Sequence, residues 1–186
     1  MTTTDIGLTV RKAGMRDIPG ILALINSYAA NGIMLPRTEF EMSENIRDFS
    51  VAYDGQALVG CGALHFYTPK SAEVRSLAVL PAAKNHGIGR AVVHALEAEA
   101  GEHDLDSIFA FTYVPGFFRK MGFSEIERGE LPLKVWKDCL KCPKFNACDE
   151  IAVLKRLKQS ATHQAENSLR TLNNIVALPI LAKVAL

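Results

Sequence analysis

The chain has 186 residues, with Lys and Arg at 21 against Asp and Glu at 20, a formal net charge of +1. That length suits one well-buried core in a single domain, and the balanced charge leaves no basic field for a nucleic acid, which is excluded as an expected partner. The opening "MTTTDIGLTVRKAG" lacks the charged-then-apolar layout of a signal peptide, and no apolar run approaches the roughly 20 residues that span a bilayer, so the expected setting is cytoplasmic, without a membrane partner.

In chain order, "LTVRKA" from Leu8 reads as a short strand. "DIPGILALINSYAANG" carries apolar residues at helical spacing, with Asp17 placed to cap its start and Gly32 its end. A second helix is expected after "MLPR", because Thr38 and Glu41 form a Thr-x-x-Glu capping box. "FSVAY", the turn "DG" and "ALVGCGALHFY" read as an antiparallel hairpin, since Asp-Gly supplies the positive backbone angles of a tight turn. "AEVRSLAVL" is the next strand, "GIGRAVVHALEAEAGEH" a helix, "DSIFAFTY" a strand, and "PGFFRKMGF" a short helix leading to an edge strand. "LPLKVWKDCLKC" is expected to add a helix and "DEIAVLKRL" a final strand. The elements sum to an α/β (α+β) domain, a mixed sheet flanked by helices.

Between the strand ending near Leu80 and the following helix lies "PAAKNHGIGR", a polar loop with two glycines that runs straight into the helix. Helix N-termini present unpaired N–H groups and a partial positive charge, and glycines admit close approach, so this junction suits a phosphate-bearing ligand. A Walker A string is absent, and the dinucleotide fingerprint fails because Val92 stands where a small residue is needed and Thr112 and Tyr113 stand where an acid is needed.

"AEVRSLAVLPAAKNHGIGRAVV" resembles the acetyl-coenzyme A loop of the GNAT N-acetyltransferases: Arg or Gln, two residues, Gly, one residue, then Gly or Ala. Lys84-Asn85-His86-Gly87-Ile88-Gly89 matches it, with Lys84 as the basic residue, and "FFRKMGF" resembles the family's later signature. The resemblance covers roughly residues 8 to 157, which assigns 1–157 to the acetyltransferase domain and 158–186 to a C-terminal extension. It implies a mostly antiparallel sheet with flanking helices, and acetyl-CoA as co-substrate. "VRKAGMRDIPGILALINSYAANGIMLPRT" followed by "VGCGAL" is more closely similar to the catalytic domain of the N-acetylglutamate synthases. This finer resemblance implies acetylation of the α-amino group of glutamate or glutamine, the first step of arginine biosynthesis, by a short form without the amino-acid-kinase-like domain that many such synthases carry.

Acetyl transfer from a thioester to an amine needs a neutral amine, a polarised carbonyl and a proton for the departing thiolate. Period-two alternation on "EVRSLAV" is expected to put Glu73, Arg75 and Leu77 on one face. The resemblance implies Glu73 as general base, the Leu77 N–H as the group polarising the thioester carbonyl, and the Val79 backbone as the partner of pantetheine. The amides of His86, Gly87, Ile88, Gly89 and Arg90 would receive the pyrophosphate, with Lys84 and Arg90 adding charge. Many GNAT enzymes place Tyr where Phe118 stands and use it as the acid. Thr112 matches a hydroxyl residue proposed for that role in the synthases, with Tyr113 adjacent. A carboxylate-bearing acceptor calls for a guanidinium fork, for which Arg37, matching a synthase arginine that contacts the amino acid, and Arg75 are the candidates.

Cys139, Cys142 and Cys148 crowd together, but a structural zinc site normally closes with four ligands, so no metal is expected there. The tail ends in the apolar "IVALPILAKVAL", which could dock on its own domain or bridge to a second copy as a homodimer. The competing readings are a GNAT enzyme for another small amine or a protein N-terminus, which would not need "IMLPRT", and a non-catalytic coenzyme A binding regulator, which would not need Glu73.

Overall fold

The computed structural model describes residues 7–131, 140, 144 and 147–157. Among the described residues eleven strands and α-helices follow in chain order: β1 (Leu8–Lys12), α1 (Ile18–Ala29), α2 (Glu39–Asn45), β2 (Phe49–Asp54), β3 (Ala57–Thr68), β4 (Ser71–Val79), α3 (Ile88–Glu102), β5 (Ser107–Thr112), α4 (Pro115–Arg119), β6 (Ser124–Glu125) and β7 (Ile151–Arg156). The strands form one sheet in the order β1-β2-β3-β4-β5-β7-β6. Every pairing is antiparallel except β4 with β5. The mixed, mostly antiparallel sheet expected from the sequence is therefore present. The helix expected over "LPLKVWKDCLKC" and the extension 158–186 lie outside the described residues.

Alternation along the strands divides the apolar side chains between two faces. Ala72 and Val74 of β4 join Ile108 and Ala110 of β5 beneath Val92, Val93 and Leu96 of α3 and Phe118 of α4. On the other face Cys61, Ala63 and Ala78 pack under Ile21, Leu24 and Ile25 of α1 and Met42 of α2. A smaller cluster on that face centres on Phe109, with Leu131 and Ala152. Gly60 and Gly62 let α3 settle directly on β3: a Cβ at these positions would lie 2.8 Å from Ile88 and 2.9 Å from Val92.

Three local expectations need correction. Asp17 makes no side-chain cap on α1. Its carboxylate instead accepts two bonds from the Arg11 guanidinium, both 2.8 Å, one from the Gly14 N–H at 2.7 Å and one from the Tyr53 hydroxyl at 2.9 Å. A charge-assisted fork outcompetes a single amide for a buried carboxylate. The hairpin's positive angle belongs to Gly55 alone (φ 57), while Asp54 closes β2. The third correction shapes the site: Glu73, Arg75 and Leu77 do not share a face. Cys61 pairs with Ala78 and Ala63 with Arg75, so Gly62 faces two residues of β4, and Ser76 takes φ 52. This β-bulge adds a residue and inverts the alternation. Glu73 and Arg75 point toward the α1/α2 face, whereas Leu77 joins Val79 against the α3 core.

Candidate active site

The site begins where β4 and β5 part. Their parallel ladder pairs Ser71 with Ser107, Ala72 with Ile108 and Glu73 with Phe109, then stops, although β4 continues to Val79 and β5 to Thr112. The Leu80 N–H bonds the Val59 carbonyl at 2.9 Å, so Leu80 and Ala78 turn their backbone groups to β3 and the groups of Leu77 and Val79 turn to the gap. An extended ligand bearing amides can take the place of a missing strand there.

At the far end of β4, a short turn over Pro81–Ala83 leads to Lys84 and the helix start. Asn85 (φ 67) and Gly87 (φ 79) are both left-handed, and Gly87 is the N-cap of α3. Asn tolerates this region better than most side chains and Gly adopts it without penalty. The turn aims the first amides of a helix of 15 residues outward, a cradle for phosphate. A Cβ on Gly89 would lie 3.5 Å from Phe117 and 3.6 Å from Val79, so the loop also closes against the gap. Lys84, His86, Gly87, Ile88, Gly89 and Arg90 are thus brought to one junction, beside the gap that Leu77 and Val79 line.

Glu73 stands at the apex of the split. Its carboxylate accepts the Tyr67 hydroxyl at 3.1 Å, and its partner across β3 is His65. His65 Nδ1 lies 2.6 Å from Asp48 Oδ2, and Arg75 Nη2 lies 3.7 Å from the same oxygen. His65 and Tyr67 meet edge to face at 5.0 Å. One face of the split therefore carries the Glu73 carboxylate beside a polar cluster of Tyr67, His65, Asp48 and Arg75.

Arg37 enters from the loop between α1 and α2. Asn26 of α1 holds both sides of its backbone: the Arg37 N–H donates to Asn26 Oδ1 at 2.9 Å, and Asn26 Nδ2 donates to the Arg37 carbonyl at 3.0 Å. Thr38 then caps α2 by the expected box, its Oγ1 accepting the Glu41 N–H at 3.2 Å.

Thr112 ends β5 on the α3 face, 6% exposed, and its Oγ1 accepts the Val114 N–H at 3.0 Å, forming the turn into α4. Glu73 and Thr112 thus flank the gap from opposite faces of the sheet. Tyr113 is more exposed, and its phenol accepts a bond from Lys144 Nζ at 3.1 Å. Phe118 is buried against Phe117 and Phe123 and contributes packing. Cys61, behind the bulge, has its thiol pushed up to about 12 by burial, which keeps it protonated and unsuited to nucleophilic attack. Cys139 and Cys142 lie outside the described residues, while Cys148 is a free thiol.

Sequence reasoning missed five residues that build these surfaces: Asn26, Asp48, His65, Tyr67 and Tyr28, whose hydroxyl donates to the Val79 carbonyl at 2.6 Å. The alternation of β3 carried a signal for His65 and Tyr67, since a strand beside Glu73 must place polar residues opposite it. Asn26 and Tyr28 lie within an apolar helix pattern and carry no comparable signal.

Comparison with known proteins follows the same lines. The Acetyltransferase (GNAT) family profile matches residues 24–123. An uncharacterized N-acetyltransferase of Chlorobaculum tepidum is 48% identical over 149 residues, covering 80% of this chain and 96% of that protein. The amino-acid acetyltransferase of Mycobacterium tuberculosis is 36% identical over 137 residues, covering 72% of this chain and 78% of its own. Among solved structures, N-acetylglutamate synthase from Neisseria gonorrhoeae, complexed with coenzyme A and N-acetyl-glutamate, superposes with a TM-score of 0.75 at 28% identity. That match covers 82% of this chain and 35% of the synthase, so the chain spans about a third of the synthase's length.

Proposed function

The chain belongs to the GNAT acetyltransferase family, uses acetyl-CoA as co-substrate, and from that premise we propose that it acetylates the α-amino group of glutamate or glutamine as the first step of arginine biosynthesis. The observation that carries the reading is the position of Glu73 at the point where the β4–β5 ladder ends; Arg37, on a loop whose backbone Asn26 holds, is the proposed acceptor ligand.

In this reading, the β4–β5 gap takes the pantetheine arm of acetyl-CoA, and the amides from His86 to Arg90 take its pyrophosphate, with the charges of Lys84 and Arg90. The thioester supplies the activated acetyl group. The Val79 carbonyl already accepts the Tyr28 hydroxyl at 2.6 Å, which leaves the Val79 N–H as the group for the arm. The Leu77 N–H polarises the thioester oxygen, as a fixed backbone donor that needs no side-chain ordering. The amino acid enters on the α1/α2 face, its carboxylate on Arg37. Glu73 accepts the ammonium proton, directly or through water, while Tyr67 orients the carboxylate. The neutral amine attacks the acetyl carbon, the C–S bond breaks as the C–N bond completes, and the nitrogen loses its second proton to water. The thiolate leaves toward the opposite face, where the Thr112 hydroxyl is the side chain placed to relay a proton to it from water, regaining its own in the same transfer. Arg75 is the second carboxylate candidate, and its proximity to Asp48 suits it to orienting the acceptor site more than to taking a substrate carboxylate alone.

The test is an acetyl-transfer assay over all free amino acids, reading thiol release. Turnover concentrated on glutamate or glutamine is the expected result. Turnover confined to other amines, or none with any amino acid, overturns the assignment.

A further inference from the structure

Tyr28 ends the apolar face of α1, the helix that covers the acceptor side of the sheet, yet its hydroxyl reaches the cofactor side. It donates to the Val79 carbonyl at 2.6 Å. That carbonyl belongs to the backbone groups turned to the β4–β5 gap, so the phenol occupies a position where a β5 amide would sit in a continuous sheet. The same ring carries Lys84 Nζ over its face, 5.1 Å from the centroid. One side chain therefore touches the end of β4 and the basic residue that opens the phosphate loop.

The backbone of Tyr28 is tied to the other substrate's loop. Its carbonyl accepts the N–H groups of Asn31 at 3.1 Å and Ile33 at 3.2 Å, the turn from which the Arg37 segment departs. Two residues earlier Asn26 clasps the backbone of Arg37 itself. The last turn of α1 thus braces both loops, by Asn26 toward the acceptor and by Tyr28 toward the cofactor.

We propose that Tyr28 is a positioning residue for acetyl-CoA: its hydroxyl fixes the gap-facing edge of β4 at Val79, and its ring holds the Lys84 ammonium over the phosphate loop. This inference rests on the acetyltransferase reading and goes beyond it, because it assigns cofactor affinity to a residue of the acceptor helix. A tyrosine suits both tasks, since the phenol oxygen bonds a carbonyl while the aromatic face attracts a cation. The two tasks separate by substitution. Tyr28→Phe keeps the ring and loses the hydroxyl bond; Tyr28→Leu loses both.

The experiment measures coenzyme A binding by calorimetry, KM for acetyl-CoA and for the acceptor, and melting temperature, in wild type, Tyr28→Phe, Tyr28→Leu, Lys84→Met and the two double variants. Loss of one hydrogen bond should weaken coenzyme A binding about three- to tenfold in Tyr28→Phe, with acceptor KM and melting temperature nearly unchanged. Tyr28→Phe should cost the same factor with or without Lys84, whereas Tyr28→Leu should cost less in the Lys84→Met background, because the ring contact is already gone. Unchanged coenzyme A affinity in Tyr28→Phe overturns the proposal. Equal losses for both substrates with a lowered melting temperature also overturn it and make Tyr28 a packing residue. A wild-type protein that binds no coenzyme A overturns the reading of the site itself.

Discussion

The two loops proposed to take the two substrates are built on opposite plans. The loop from Lys84 to Arg90 is specified by backbone: Asn85 and Gly87 take left-handed angles, and the groups offered to a ligand are main-chain amides at a helix start. The loop from Ala30 to Thr38 is held by a side chain from elsewhere: Asn26 grips its backbone from α1, and the group proposed to take the acceptor is the Arg37 guanidinium. A backbone site recognises what every acetyl-CoA shares, the phosphate and the amide arm. A side-chain site can be retuned residue by residue, which suits the half of an enzyme that chooses its acceptor.

Substitutions that act on one loop and spare the other sharpen this contrast. The largest effect is expected at the apex between them. Glu73→Gln removes the proposed proton acceptor and should lower turnover about 10²- to 10⁴-fold at neutral pH, with coenzyme A affinity preserved; unaltered turnover in a steady-state assay would give the base role to another group. Next comes Arg37→Ala, which deletes a charge-assisted bond of roughly 1.5–3 kcal/mol, about 10- to 150-fold in the acceptor specificity constant. Lysine should rescue only in part, because a point charge cannot reproduce the two parallel bonds of a guanidinium. Equal losses for acetyl-CoA would erase the distinction between the loops.

Gly87→Val tests the backbone plan directly. At φ 79 a β-branched residue costs about 1–2 kcal/mol, and the expected reading is roughly tenfold weaker coenzyme A binding with acceptor KM unmoved. The smallest effect concerns Asp17, which anchors the acceptor half from outside either loop. Bonds from the Arg11 guanidinium hold its carboxyl well below the usual carboxylate range. A depressed pKa stabilises the fold above the unfolded value of about 3.9 and ceases to do so as pH falls through the folded value. Arg11 is 39% exposed, so solvent screens the pair, and Asp17→Asn should cost only about 1 kcal/mol at pH 7. Urea melts should show the gap between variant and wild type narrowing in acid; a gap that widens would reverse the sign.

The same contrast explains which parts were legible in the sequence. The glycine turn into α3 could be read because "KNHGIG" encodes backbone angles locally, and the strand and helix order could be read because periodicity is local too. The parity of β4 could not: alternation predicts Leu77 beside Glu73, and only the pairing of Gly62 against two residues reveals the bulge. Asp17 was misread as a cap because its partner Arg11 lies on the preceding strand and Tyr53 on β2. For the proposed acceptor surface, Arg37 and Glu73 were offered by resemblance alone. Asp48, His65 and Tyr67 emerge only when the start of β2, β3 and β4 are laid side by side.

A sheet usually exchanges its amide hydrogens most slowly at its centre and fastest at its margins. By ending its ladder at Glu73, this sheet carries a margin in its middle, and the Leu77 and Val79 amides lie on it. In the ligand-free protein those two hydrogens should exchange at rates closer to those of a border strand than to those of their neighbours Ala78 and Leu80, which are turned to β3. Such a margin invites pairing with any passing strand, and a bulge is one of the means by which proteins discourage it. The β-bulge at Ser76 lies on that interior border, the kind of irregularity that makes an unpaired strand a poorer template for a foreign one.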